Sequence, residues 1–321
     1  MSAEKYLLEF VRKHGVRVIS DGDWDGILAS AILVKWLKER GFECSFDSVD
    51  FPKPRDLVEM KVGGVILIEL PPSRGYTVVK ESLLFDHHAE AGLFLVAEDG
   101  GLKALVKTEP YPSVARLVLV LLDINLEDDW KKIFDAVDLI DLGESLKDDF
   151  AWTLHKAYLA NTDSSYFRKT VFRMLVEDKL SDLISYIEEE AKMYDRAREK
   201  ISLFKSRTKV YGEAAFFWYN PSDKFERMVY REYMFELEKK YKLVVAIALR
   251  SDKTIEKMHL GSYEVNVSKL ISDVLEYLKK HGVTGGGKDR AGGIQFPILT
   301  LREADIDKIG EVIQSILSEL K

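Results

Sequence analysis

The sequence predicts an α/β protein of two domains, and three observations carry that expectation. Short apolar runs that read as buried strands alternate with longer amphipathic stretches through the first third of the chain. That is the pattern of a mostly parallel sheet with helices on both faces. From about residue 147 to 207 the pattern is helical almost throughout, and it reads as a long helical connector. Beyond Lys209 strands and helices alternate again, so a smaller α/β domain closes the chain. At 321 residues the chain exceeds what one core usually serves. We place the boundary inside the connector, dividing residues 1–200 from 201–321.

Taken in order, residues 3–14 carry Tyr6, Leu7, Phe10 and Val11 at helical spacing. Residues 16–20 read as a strand and 27–40 as a helix closed by Gly41. A second strand is expected over 42–51. A buried one is expected over 64–70, where Val65-Ile66-Leu67-Ile68 is apolar without alternation and Pro71-Pro72 ends it. Leu83-Leu84-Phe85 is a strand running into Asp86-His87-His88, and Pro112 opens a helix that reaches about Leu122. The dense charge over 188–200 reads as a solvated helical face. In the second domain, strands are expected over 214–219, 243–249 and 255–260, and helices over 268–280 and 303–320. The run Phe216-Phe217-Trp218-Tyr219 reads as core.

Composition narrows the function. No apolar run reaches the roughly 18 residues needed to span a bilayer, so no membrane role is expected. Glu4, Lys5 and Glu9 interrupt the N-terminus as no secretory signal would. Cys44 is the single cysteine, which excludes a disulfide framework and a thiolate zinc site. A cytoplasmic location is expected. The net charge of −7 argues against coating nucleic acid through bulk electrostatics. A metal-filled cleft would still supply local positive charge. Lysine and glutamate are abundant and side-chain amides scarce, the compositional habit of thermophiles, and an archaeal source fits it.

Three strings carry chemistry. In Asp21-Gly22-Asp23-Trp24-Asp25-Gly26, three carboxylates alternate after a strand and repel one another unless a hard cation is present. An EF-hand opens similarly but closes on a glutamate at the twelfth position, where this chain has Ile32. Asp86-His87-His88 places imidazoles and a carboxylate at another strand end, suited to Mn²⁺, Zn²⁺ or Fe²⁺. Gly285-Gly286-Gly287 offers unhindered backbone amides of the kind that hold phosphate. Strand ends are where ligands sit on open parallel sheets, and Glu69 falls at one too.

Together these strings resemble the DHH phosphoesterase superfamily, and within it the RecJ-like nucleases, over nearly the whole chain and in the right order. The resemblance implies two metal ions, Mn²⁺ with Mg²⁺ as substitute. Asp21 and Asp23 would serve one ion and Asp25 and His87 the other. Glu69 stands where the family has a bridging aspartate. Asp141 matches a further family aspartate, with Asp138 as the competing choice. Asp86 and His88 are implied as catalytic or substrate-facing groups. Gly285, Gly286, Gly287, Lys288 and Arg290 are implied to bind substrate.

The implied activity is hydrolysis of single-stranded DNA or RNA by an exonuclease, as in DNA repair. Three departures bear on it. Glu69 is longer than aspartate, Gly261 replaces an arginine ahead of Ser262, and Lys288 replaces a histidine. They keep a different expectation open, a weakened paralogue serving as a subunit beside a helicase or second nuclease. A homodimer is compatible with either, and small phosphates such as cyclic dinucleotides are a third class of substrate.

Overall fold

The computed structural model describes residues 2–319 other than Ala89, Lys288, Ile298 and Leu299, with the side chains of all of these but Pro54 and Arg55. The chain divides into two compact units, Met1–Lys192 and Met193–Lys321.

In the first unit the strands are β1 (Val18–Ser20), β2 (Val49–Asp50), β3 (Lys61–Val62), β4 (Ile66–Ile68), β5 (Thr77–Val78), β6 (Ser82–Asp86), β7 (Gly92–Val96) and β8 (Leu102–Lys107). Six of them form one sheet in the order β2-β1-β4-β6-β7-β8. The pairs from β2 to β6 are parallel, and β7 and β8 follow antiparallel at the edge. The helices are α1 (Ala3–His14), α2 (Trp24–Glu39), α3 (Pro54–Leu57), α4 (Val114–Leu121), α5 (Asp128–Asp141), α6 (Asp149–Ala160), α7 (Ser165–Val176) and α8 (Leu180–Ala197), the last crossing the division between units. No helix among the described residues is long and apolar enough to cross a membrane.

One sheet face, carrying Val18, Ile66, Ile68, Leu83 and Phe85, packs under the long helices. Cover on the other face is lighter than expected. There Ile19, Leu67, Leu84 and Phe94 meet Leu57 of α3 and Val62 and Val78 of a separate β3–β5 ribbon. Helix α2 is apolar nearly all round because it is the central helix, buried from Trp24 to Val34. Its acidic N-terminus is therefore held in place from every side.

The second unit holds β9 (Lys209–Tyr211), β10 (Ala214–Tyr219), β11 (Leu243–Leu249), β12 (Ile255–Gly261), β13 (Thr284–Gly287) and β14 (Ala291–Gln295), in the order β13-β14-β12-β11-β10-β9. Among the described residues of this unit only β10 and β11 pair in parallel, and α10 (Lys224–Glu238) joins them. With α9 (Lys200–Ser206), α10 covers one face, where Phe217 meets Phe204 and Tyr233 at centroid distances of 5.4 and 4.9 Å. Helices α11 (Val267–Leu278) and α12 (Ile306–Glu319) cover the other face over Phe216, Val245 and Ile294. The aromatic run of β10 is thus mostly core, with Phe216 and Phe217 fully buried.

Three differences from expectation have physical causes. The helix foreseen over 27–40 begins at Trp24, because the Asp23 carboxylate accepts from the Gly26 amide at 2.9 Å and caps it. Of 42–51 only Val49–Asp50 pairs as a strand. Ser45 and Ser48 satisfy each other locally at 3.2 Å and hold a 3₁₀ turn instead. The glycine string, for which no element was expected, forms β13, an edge strand, which leaves every other amide without a ladder partner.

Glu238 of α10 has no hydrogen-bond or ion-pair partner among the described residues. Its carboxylate packs so tightly on β12 that a Cβ at Gly261 would lie 1.9 Å from Oε1. Burial pushes its pKa up to about 7. An acid whose folded pKa is raised favours its neutral form in the fold. Stability is therefore lost as pH rises from the unfolded value through about 7. Discounted for partial exposure, Glu238→Gln should raise stability by about 1 kcal/mol at pH 8 and leave it nearly unchanged at pH 4. Urea melts at the two pH values check this, and an equal effect at both would contradict it.

Candidate metal centre

The acidic loop leaves β1 with its register fixed. The Asp21 amide donates to the Ile68 carbonyl at 3.1 Å, extending the β1–β4 pairing by one residue. Helix α2 then starts so close to the loop that Gly26 has no room for a side chain. A Cβ there would sit 2.1 Å from the Asp21 carbonyl oxygen.

Asp25 is buried, and its two carboxylate oxygens accept from the Val114 and Ala115 amides at 2.6 and 2.8 Å. It thereby satisfies the first amides of α4. Glu69 follows β4 and is also buried, with φ of +57°, a left-handed conformation that costs a non-glycine residue energy. His87 follows β6. Its Nδ1 lies 3.0 Å from the Tyr111 carbonyl oxygen, which can only accept, so Nδ1 carries the proton. Its Nε2 then turns to three carboxylates: Glu69 at 3.2 Å, Asp141 at 3.4 Å and Asp25 at 3.6 Å.

That arrangement gathers four acceptors about one point. Burial, with the neighbouring carboxylates after it, raises the pKa of Asp25 and Glu69 well above the ordinary range. Burial raises that of Asp141 too, opposed by the nearby imidazoles. The second oxygen of Glu69 is buried without any hydrogen bond among the described residues. A buried acceptor with no donor, among like charges, is costly unless a cation fills the gap. One imidazole nitrogen and three carboxylates are the donor set of a divalent ion such as Mn²⁺. The residues present fit a metal.

Of the six metal candidates, Asp25, Glu69, His87 and Asp141 come together. Asp21 and Asp23 lie outside this group. Asp21 pairs with Arg74 at 3.2 Å. Asp23 is bonded to the Gly26 amide, and burial together with Asp21 pushes its pKa up to about 6. Asp138 is engaged elsewhere, accepting from Ser113 and Arg116. Buried Asp86 accepts from both the amide and Nδ1 of His88, at 2.9 and 2.8 Å. That fixes the exposed His88 ring within reach of Glu69 and His87.

In the second unit, a Cβ at Gly285 or Gly287 would meet the carbonyl oxygens of Gly293 or Ala291 at 2.6 Å, whereas at Gly286 it would meet nothing. Arg290 is exposed, its guanidinium 5.8 Å from the centre of the Tyr263 ring. Lys288 lies outside the described residues.

Sequence reasoning missed Arg168. Buried in α7, it donates from Nε to the Gly22 carbonyl at 2.7 Å and from Nη2 to that of Thr162, while Nη1 has no hydrogen bond. Its one sequence trace is Gly22, where a Cβ would fall 2.3 Å from Arg168 Nε. It also missed Tyr111, whose contribution is a backbone carbonyl and carries no side-chain signature.

No protein-family model and no curated protein matches this sequence. Solved structures do match in fold. A pGpG-specific phosphodiesterase, PggH, from Vibrio cholerae aligns over 95% of this chain and 99% of its own at 16% identity, with a TM-score of 0.59. RecJ from Thermus thermophilus, in complex with Mn²⁺, aligns over 99% of this chain but 54% of its own, at 14% identity and a TM-score of 0.57. CDC45 from Entamoeba histolytica covers 98% of both chains at 8% identity and a TM-score of 0.50. This chain therefore has the fold shared by these solved RecJ and DHH-domain structures.

Proposed function

We propose that the protein is a metal-dependent phosphodiesterase that hydrolyses single-stranded DNA or RNA as an exonuclease, with Mn²⁺ as the preferred ion and Mg²⁺ as substitute. The observation that carries this reading is the orphaned Glu69 oxygen beside His87 Nε2, where three carboxylates and an imidazole meet. Asp25, Glu69, His87 and Asp141 would hold one ion, and Asp21 and Asp23 would serve a second. Bound there, divalent ions would polarise a phosphodiester and make water acidic enough to attack near neutral pH. The remaining work belongs to the chain. The Tyr111 carbonyl keeps His87 in the tautomer that presents Nε2. Asp86 orients His88, leaving its other ring nitrogen available to a substrate oxygen. Gly285, Gly286, Gly287, Lys288 and Arg290 would hold substrate phosphate. A role in DNA repair, in the cytoplasm of a thermophilic archaeon, belongs to the same reading.

A second reading rests on Glu238, whose carboxylate fills the space over Gly261 where the resemblance calls for an arginine. It makes the chain a subunit of a nuclease, helicase or replication complex. One assay separates the two. Metal-free protein incubated with end-labelled single strands should release nucleotides slowly when Mn²⁺ is added. Activity should fall below about one per cent in Asp25→Ala and be partly kept in Glu69→Asp. Pure protein that releases nothing from either nucleic acid at elevated temperature, yet co-purifies with a helicase or second nuclease, would establish the subunit reading.

A further inference from the structure

Asp21 leaves β1 beside Glu69. Ser20 and Ile68 are partners across the parallel β1–β4 pair, and the Asp21 amide continues that ladder. The residues that follow them, Asp21 and Glu69, therefore stand one strand spacing apart, roughly 4.8 Å. Both Asp21 oxygens are engaged. Oδ1 accepts from the Gly22 amide at 2.7 Å, and Oδ2 accepts from Nη2 of Arg74 at 3.2 Å. Among the described residues, Arg74 is the one lysine or arginine within ion-pair distance of Asp21, Asp23, Asp25, Glu69, Asp86 or Asp141.

The chain builds a mount for this cation. Arg74 ends a short 3₁₀ turn, Pro72–Arg74, entered through Pro71 at φ −67°. Two prolines in succession remove most of the backbone freedom on that side. The Arg74 amide donates to the Pro71 carbonyl at 2.9 Å, and Gly75, at φ +95°, turns the chain back. Buried Tyr76 then ties the ends together, its hydroxyl donating to the Leu70 carbonyl at 2.6 Å. Leu70 and Tyr76 both belong to the core on the lighter face of the sheet, so the loop 71–75 is pinned at its base. It presents one long side chain to the acidic loop.

A guanidinium gains most from two parallel bonds to one oxyanion. Arg74 makes only the single bond through Nη2, and its Nε and Nη1 have no hydrogen bond among the described residues. Its side chain is 42% exposed, so the unused donors are open to a ligand. The cation is held beside the centre with most of its binding capacity in reserve.

We propose that Arg74 is a substrate-binding residue, whose guanidinium exchanges the Asp21 carboxylate for a phosphate oxygen of the substrate. The proposal deepens the phosphodiesterase reading and rests on it for the source of the phosphate. Where Asp21 serves an ion, the added positive charge weakens its hold on the guanidinium, and the fork turns to another oxyanion. Because the loop is pinned, that exchange needs side-chain torsions only, which keeps the ordering cost of binding small.

The test follows binding of AMP to the full chain by calorimetry, so that no cleavage is needed. With Mn²⁺ at saturation, Arg74→Ala should weaken AMP binding about tenfold, the share of one charge-assisted contact. In chelator it should change little, because Asp21 holds the guanidinium there. Arg74→Lys, which keeps the charge without the fork, should fall between. A second arm needs no metal. In chelator, Asp21→Asn loosens the guanidinium and should raise AMP affinity about threefold, and adding Arg74→Ala should cancel the rise. Equal AMP binding by wild type and Arg74→Ala in Mn²⁺ would overturn the proposal, as would an equal loss in chelator. A rise in Asp21→Asn that survives Arg74→Ala would overturn it too. AMP binding as described, with no strand cleaved, would sink the exonuclease reading and leave the assignment of Arg74 standing.

Discussion

Replacing Glu69 by glutamine should make the metal-free protein more stable at pH 8, while removing most of the stabilisation that Mn²⁺ gives. Glu69 is 3% exposed, one of its oxygens has no hydrogen bond, and Asp25 and Asp141 crowd the same imidazole nitrogen. Without a cation this is a set of buried like charges, and removing one relieves repulsion at little cost in volume. A gain of about 1–3 kcal/mol is expected. The wild type should be stabilised by about 2.7 kcal/mol when Mn²⁺ stands at a hundred times its dissociation constant. The glutamine variant should keep under about 1 kcal/mol of that, having lost a charged ligand. Thermal melts in chelator and in Mn²⁺ measure both quantities. A variant that is weaker in chelator yet still gains from Mn²⁺ would make Glu69 a structural residue.

The second large effect is expected from Gly26→Ala. In an ordinary helix this change favours folding by about 1 kcal/mol. Here the added Cβ would lie 2.1 Å from the Asp21 carbonyl oxygen and 2.6 Å from Ser20 Oγ. Backbone cannot swing aside as a flexible side chain can, so α2 must retreat from the acidic loop. Overpacking of this kind costs about 3 kcal/mol, which exceeds the helical gain. The displaced Asp23 and Asp25 should also weaken Mn²⁺ binding. Urea unfolding with and without Mn²⁺ decides it, and a stabilised variant with unchanged metal affinity would refute the close approach.

What could be read from the sequence follows how local each signal is. Strands β10 and β11 fall where their apolar runs begin and end, because a strand buried on both faces is apolar without interruption. Asp25, Glu69 and His87 stand at strand ends or one turn beyond, and that placement is legible from the runs preceding them. Choosing Asp141 over Asp138 was not a local question. It depends on Arg116 and Ser113, 22 and 25 residues away from Asp138, which claim that carboxylate. Likewise no pattern announces that Asp25 accepts from two amides 89 and 90 residues downstream. Strands β7 and β8 were not among the expected strands, and in β8 Lys103 interrupts the apolar run. The ribbon of β3 and β5 is too short for any period to show.

The Asp25 carboxylate has a consequence for how the protein is made. It holds the start of α4, Arg116 of α4 holds Asp138 of α5, and Asp141 on the next turn of α5 returns to His87, which faces Asp25 again. These contacts close a ring whose members are far apart in the chain, and such contacts form late in folding. A polypeptide leaving the ribosome displays Asp25 early, but it cannot complete the ring until residue 141 has emerged. Until then its acidic loop is open to solvent and to whatever cation the surroundings offer. Selection of the ion would be made by the finished ring, once residue 141 has emerged.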